Sequence, residues 1–276
     1  MTDEWTERNE SEAIVNEGLT TDASAMTAWP RRPARLGHAV VATLAGQVVS
    51  GALPEGAALP PEPVLGETFG VSRSVIRESL KVLEEKSLVV VRQGHGTTVQ
   101  GRDQWHLLDP LVLKAVIEFD STLTIFDDLI EVRASLESQM ARRAANRLTE
   151  AQLNELRAHL DHLDGLIPDP TEYGRAELAY HDAITRFSGN QLARAVLRTQ
   201  EAFAMTSKFY AGTHRTRADN VISHRGHVAI YEQLLARDPE GAARAVEEHI
   251  CGGWERYKKR LASNGASPRT SRPERP

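Results

Sequence analysis

Apolar positions change their spacing along this 276-residue chain. Up to about residue 100 they form short runs cut by glycine and proline. Beyond Gly101 they recur almost everywhere at intervals of three and four, the helical period. The pattern predicts helices over Arg35–Ser50, closed by Gly51 and Pro54, over Pro61–Phe69 and within VSRSVIRESLKVLEEK. A β-like run follows, Leu88–Val99. Further helices are predicted over Asp103–Phe119, Thr122–Arg147, Glu150–Leu166, Glu172–Phe187, Gln191–Ala211, Asp219–Ala236 and Pro239–Leu261. Pro168, Pro170, Gly189-Asn190, Gly212 and Asp238-Pro239 separate them. The predicted fold class is mainly α, an N-terminal winged helix-turn-helix head on a C-terminal all-α helical bundle. Five segments result: an acidic tail (1–30), the head (31–101), a linker helix (102–121), the helical body (122–262) and a Ser-, Pro- and Arg-rich tail (263–276). Both tails lack a sustained apolar period and are expected to be disordered.

The third helix of the head carries the first chemistry. Stepped at ~100° per residue, Arg73, Arg77 and Lys81 fall on one narrow arc. Val75, Ile76, Leu80, Val82 and Leu83 occupy the opposite one. Ser72 is a natural N-cap, and Ser74 lies beside the basic arc with a hydroxyl that can reach phosphate. The short turn Gly70-Val71 joins this helix to the one before it, the pattern of a helix-turn-helix reading head. In the run that follows, Gln93-Gly94-His95-Gly96 is a turn between two strand-like pieces. Such a hairpin is a wing. Its tip offers Arg92, His95 and the backbone of Gly94 and Gly96 to phosphate or the minor groove. An amphipathic helix with a merely solvated basic face would show the same arc, but not this order of helix, turn, helix and hairpin.

Charge sharpens this picture. The formal net charge is −5, which taken alone argues against nucleic acid. Residues 1–28, however, hold seven acids and one base, while residues 29–101 hold eight bases and six acids. The segment read as the head is the net-positive one. A single cysteine, Cys251, forbids an intrachain disulfide and suits a reducing compartment. The longest apolar stretch, Ala39–Val49, is interrupted by Thr43 and Gln47 and falls short of a membrane span. The acidic opening MTDEWTERNE lacks the features of a signal peptide. The expectation is a cytoplasmic protein without a membrane partner.

In the body the informative residues are histidines. Glu177 and His181 are four apart and share a helix face. His227, with Val228, Tyr231 and Leu235 as an apolar stripe beside it, is tipped inward. His249 stands next to Ile250, near the inner stripe of the last helix. One carboxylate and three imidazoles on three helices can bind a divalent metal in a bundle core and leave coordination positions open for a small anion. Three hydrogen-bonded core histidines fit the same spacing, and both readings stand at this point. His159, His162, His106 and His214 read as solvated. A metal-dependent enzyme using the cluster is the alternative function. It leaves the basic helix and wing unused, and the chain has no HExxH, GxSxG, GxxxxGK[ST] or GxGxxG.

The stretch LPPEPVLGETFGVSRSVIRESLKVLEEKSLVVVRQGHGTTV resembles the DNA-binding domain of the GntR family of bacterial transcription regulators, with its LP start, GVSR…R helix and GxGT wing. The resemblance implies that Ser72, Arg73, Ser74 and Arg77 face DNA and that the Gly94–Gly96 tip enters the minor groove. Pro63 stands where many relatives carry a DNA-contacting arginine. From about Phe126 to Lys258, DDLIEVRASLESQMARRAA, AELAYHDAITRFSGN and HVAIYEQLLARDPEGAARAVEEHI resemble the FCD ligand-sensing domain of the FadR-like branch. That implies an FCD-type bundle with metal ligands at Glu177, His181, His227 and His249, glutamate replacing the usual aspartate. The ion expected is zinc, with nickel or manganese as alternatives. It also implies that Arg133 pairs with an effector carboxylate, whereas a salt bridge to Glu137 is the local alternative. RDQWHLLDPLVLKAV is similar to sugar-acid-responsive members, notably regulators of galactonate use. The implied function is a homodimeric, non-enzymatic regulator, a repressor released from operator DNA by a small carboxylate such as a sugar acid.

Overall fold

The computed structural model describes residues 31–92, 94–119, 123–204 and 215–263, without the side chains of 31–35 and 200–204. The predicted tails, 1–30 and 263–276, lie outside these residues apart from Ser263. So do Gln93, His214 and the predicted helical stretch 205–211.

The head is built from α1 (Arg31–Val49), α2 (Glu62–Phe69), α3 (Arg73–Glu85) and a hairpin of β1 (Val89–Arg92) and β2 (Gly96–Val99). Pro63 sits in the first turn of α2, where its missing N–H costs nothing. Gly70 ends α2 in the left-handed region, φ 63°, and turns the chain into α3. Ser72 caps α3 by accepting from the Val75 N–H at 3.4 Å. The hairpin is antiparallel, Val89 opposite Val99 and Arg92 opposite Gly96. Gly94 and Gly96 take φ of 78° and 84°, which few other residues adopt without strain. Ala58 bridges to Thr98 on the other side of β2, tying the wing to the segment before α2. Val41, Leu44, Ile76, Leu83 and Leu88 form the core beneath.

The predicted linker helix over Asp103–Phe119 is shorter in the structure. Residues Arg102–Gln104 make one 3-10 turn, and α4 runs over Pro110–Phe119. The helix starts there because Asp109 accepts from the N–H groups of Leu111 and Val112 through its side chain, at 2.9 and 3.3 Å, and Pro110 has a pre-set φ. Nor is α4 a free linker. Val112, Leu113 and Val116 are buried in the head core, together with Ile125 of the next helix. Lys86, just past α3, pairs with Asp109 at 2.6 Å.

The body comprises α5 (Thr124–Ala145), α6 (Glu150–Gly165), α7 (Pro170–Phe187), α8 (Gln191–Ala204), α9 (Arg217–Leu235) and α10 (Pro239–Ser263). Caps explain the boundaries that periodicity misplaced. Asp169 accepts from the N–H groups of Thr171 and Glu172 and starts α7 before Glu172. Thr216 and Asp219 form a reciprocal capping box that starts α9 at Arg217. Leu156, Leu163, Tyr173, Tyr180, Ile230 and Leu234 lie at the centre of the bundle core. The apolar stripe predicted on α9 is displaced. Leu235 is exposed, and the buried line is Asn220, Ser223, His227, Ile230 and Leu234. Among the described residues no helix is long and apolar enough to cross a membrane.

Candidate functional site

Two places in the molecule concentrate chemistry. On the head, Ser72, Arg73, Ser74, Arg77 and Lys81 are all exposed, as are Arg92, Gly94, His95 and Gly96 at the hairpin. The apolar arc of α3 is turned inward, with Ile76, Leu80 and Leu83 buried, which is what leaves the basic arc facing out. Arg77 reaches across to α2, donating from Nε to Glu62 Oε1 at 3.4 Å and from Nη2 to Oε2 at 3.2 Å. Lys81 pairs with Glu78 at 2.8 Å, and the hydroxyls of Ser72 and Ser74 meet at 2.9 Å.

In the body, Glu177 and His181 of α7, His227 of α9 and His249 of α10 each turn one ligand atom to a common point, all within 4.8 Å of one another. The Nε2 atoms of His181 and His227 are 3.3 Å apart. The rings of His227 and His249 lie 4.3 Å apart between centroids, and each of the other two pairs 5.2 Å. The cluster is buried, only His249 keeping some access to solvent.

Neighbouring groups aim these ligands. Glu137 of α5 accepts from His181 Nδ1 at 2.6 Å, which turns Nε2 toward the cluster. The Tyr173 hydroxyl lies 3.2 Å from His227 Nδ1 and orients that ring likewise. Beside His227 on α9, Gly226 leaves room for His249, since any Cβ there would overlap its ring. Glu177 accepts at Oε2 from Arg215 Nη2, at 2.5 Å, and from the Ser223 hydroxyl, at 3.1 Å.

Electrostatics favour ionised carboxylates beside neutral imidazoles at His227 and His249. Burial opposes the charge on Glu177, but the Arg215 guanidinium beside it outweighs that and holds the carboxyl well below its usual range. Glu137 is likewise brought down to about 2, against its own desolvation, by Arg133 and His181. Burial, aided by the neighbouring imidazoles, lowers His227 far below its ordinary value and His249 to about 3. Oxygen and nitrogen donors converging from three helices fit a divalent metal ion.

A pocket of about 600 Å³, its solvent-open mouth included, opens beside the cluster. Glu177 and His249 line it, with Arg133, Arg215, Arg256 and Arg260. Trp254, Tyr257 and Ile130 supply apolar wall. Arg133 lines the pocket and donates from Nε to Glu137 at 2.6 Å, the local salt bridge weighed for it. The sequence reading missed Arg215, Ser223, Arg256 and Arg260. Arg215 precedes a helix cap in a segment without periodicity, so no spacing marks it. Of the histidines read as solvated, His162 is exposed and His159 partly buried, while His106 lies 3.2 Å from the Ser87 hydroxyl.

Residues 36–99 match the bacterial regulatory proteins of the gntR family, and residues 128–251 match the FCD domain. An HTH-type transcriptional regulator of Mycobacterium tuberculosis, Rv0494, is 30% identical over 217 residues, 78% of this chain and 87% of the relative. The chain belongs to the GntR family. This GntR protein is also 29% identical to the galactonate operon transcriptional repressor of Escherichia coli K12, over 80% of the chain and 96% of that protein. With the transcriptional repressor NanR of Cronobacter sakazakii it shares 27% identity over 71% of the chain and 75% of that protein. Among solved structures, Lar, which controls the agr system of Listeria monocytogenes, has the same fold, with a TM-score of 0.52 at 17% identity over 84% of the chain and 99% of that structure. The GntR head and FCD body mark a DNA-binding transcription regulator with a small-molecule sensing domain. It is not an enzyme.

Proposed function

We propose that this GntR protein is a cytoplasmic homodimeric repressor that leaves its operator when a sugar acid binds beside a metal ion in the body. The observation that carries this reading is the pocket in which two members of the ligand cluster, Glu177 and His249, share a wall with arginines. The names of two relatives point the same way, to the galactonate operon and to repression. A sensing site for an anion needs fixed positive charge that water screens little, and the buried Arg133 with the half-buried Arg215, Arg256 and Arg260 provide it.

The segments keep the division 31–101 for DNA binding, 102–121 as connector and 122–262 for sensing, with tails 1–30 and 263–276. On the head, Arg73, Arg77 and Lys81 face the major groove, with Ser72 and Ser74 on phosphate. Arg92, Gly94, His95 and Gly96 form the wing contact. One short helix reads few base edges, so paired half-sites and a dimer follow. Glu177, His181, His227 and His249 hold the ion, zinc in the first place and nickel or manganese as alternatives. Once bound, the ion supplies Lewis-acid coordination for the oxygens of an acid. Arg133 pairs with the acid's carboxylate, and Glu137 and Tyr173 keep the imidazoles aimed. The effector acts by favouring a body arrangement whose two heads no longer match the half-site spacing.

A mobility-shift titration checks this. The zinc-loaded protein on DNA from upstream of its own gene is expected to release it as galactonate, gluconate or a related aldonate is added. Operator affinity unchanged across the whole series defeats the assignment of the inducer. Absence of salt-sensitive DNA binding defeats the regulator's mode of action.

A further inference from the structure

Of the four arginines lining the pocket, Arg133 pairs with Glu137, Arg215 with Glu177 and Arg260 with Asp219. Arg256, half-buried, has no carboxylate or hydrogen-bond partner among the described residues. Its neighbour Glu255 goes to Lys258 instead, at 2.8 Å. Arg260 keeps a donor in reserve, since its Nε is buried and finds no acceptor, an uncompensated loss of hydration. Both arginines belong to α10 and stand on the stripe of that helix that carries His249. At ~100° per residue, His249, Gly253, Arg256 and Arg260 fall within one narrow arc, and all four line the pocket. Gly253 lays no side chain between the cluster and the arginines. The Arg256 guanidinium lies back over this gap: a Cβ at Gly252 would stand 3.2 Å from Nη1, and one at Gly253 3.8 Å from Nη2. With a rise of ~1.5 Å per residue, that places the guanidinium only about 5 Å along the axis from His249. A chain of a few carbons bridges such a gap.

Resting on the reading above, we propose that Arg256 and Arg260 form a second anion subsite, so that the effector is a sugar acid carrying a further anionic group at its far end. One carboxylate sits at the cluster end, beside Arg133. The second group, a carboxylate or a phosphate, meets Arg256 and gives the Arg260 Nε its acceptor. Either group offers two or more oxygens to a guanidinium, which binds them through paired, charge-assisted hydrogen bonds. The terminal hydroxyl of a simple aldonate also accepts a hydrogen bond, but it leaves the Arg256 charge unmatched. The subsite therefore sorts acids by what stands at the end opposite the first carboxylate, and it does so with a residue that no pair in the empty pocket holds back.

The test titrates the full-length protein, in buffer containing zinc, with gluconate, glucarate and 6-phosphogluconate by calorimetry. The three share one carbon skeleton and one C1 carboxylate and differ at C6. At least one of the two dianions is expected to bind about tenfold or more tightly than gluconate, the worth of one charge-assisted contact. Whichever dianion binds more tightly shows whether the second group is a carboxylate or a phosphate. Arg256→Gln is expected to remove the preference, bringing that dianion to within about twofold of gluconate and leaving gluconate affinity close to the wild-type value. Arg256 is the residue to change because Arg260 also holds Asp219, which caps α9. A variant that merely loosens the fold weakens all three acids alike. Gluconate bound as tightly as both dianions by the wild type overturns the second subsite and leaves the sugar-acid reading standing. A dianion preference that survives Arg256→Gln overturns the role of Arg256. Failure of all three acids to bind sinks the sugar-acid reading, and this proposal with it.

Discussion

Arg77 in the head and Arg215 in the body each grip one glutamate, at 3.2 and 2.5 Å, but the surroundings differ. The Arg77 side chain is 65% exposed and its Glu62 partner 34%, whereas Arg215 and Glu177 are almost enclosed. A solvent-washed pair contributes little, since water screens it and both side chains give up freedom to hold it, so Arg77 can exchange Glu62 for another partner easily. Breaking an enclosed pair costs ~3–5 kcal/mol, so the body's pairs hold their members in place. One chemistry thus has two uses: in the head the pair with Glu62 leaves Arg77 exposed and exchangeable, and in the body the enclosed pair fixes the Glu177 carboxylate.

The sharpest way to break this comparison is to remove one acid from each region. Glu137→Ala removes the buried carboxylate that Arg133 and His181 both contact and is expected to lower stability by ~3–5 kcal/mol in denaturant unfolding. Glu62→Ala is expected to cost no more than ~1 kcal/mol. Equal losses erase the distinction. Next in size is zinc itself. At a hundredfold excess over its Kd it is expected to add ~2.7 kcal/mol to the stability of the wild type and nothing to His227→Ala. A variant that gains as much places the ion elsewhere.

On the head, Arg77→Ala is expected to cost ~1–3 kcal/mol of operator binding if the side chain reads a base edge. An equal loss on random DNA makes it a phosphate contact instead. The smallest expected effect concerns Asp127, which joins α5 to α10 by accepting from the Trp254 indole at 2.6 Å and Lys258 at 2.9 Å. Those two donors hold its carboxyl below the ordinary 3.8. A depressed carboxyl contributes stability above its unfolded value and loses it as pH falls through the folded one. Asp127→Asn is therefore expected to be slightly less stable than wild type at neutral pH, with the gap closing below about pH 4 in acid unfolding curves. A gap that widens in acid reverses the assignment.

Rotation by 100° per residue was enough to find the face of α3, because Ile76, Leu80 and Leu83 must be buried and Arg73, Arg77 and Lys81 must not. Glu177 and His181 were legible for the same reason. The α9 stripe came out displaced onto Leu235 because Asn220 and Ser223, which really line the inside, are polar. Their burial follows from partners on other helices and from the segment before α9, and periodicity carries no trace of those. Asp109 shortened the expected linker helix by capping α4 late, a choice set by one side chain against an otherwise helical pattern. Glu137 was visible as a neighbour of Arg133 four residues on, but its bond to His181 spans 44 positions. Arg215 was invisible, since no repeat, cap or motif of its own announces it.

Helix α4 touches both halves of the molecule. Its Val112, Leu113 and Val116 close the underside of the head, while the same ten residues also lean on α5 and α8. Cutting the chain after Gly101 therefore uncovers α1 and leaves a reading unit without its floor. The two halves share a wall, α4, instead of being strung on a flexible cord.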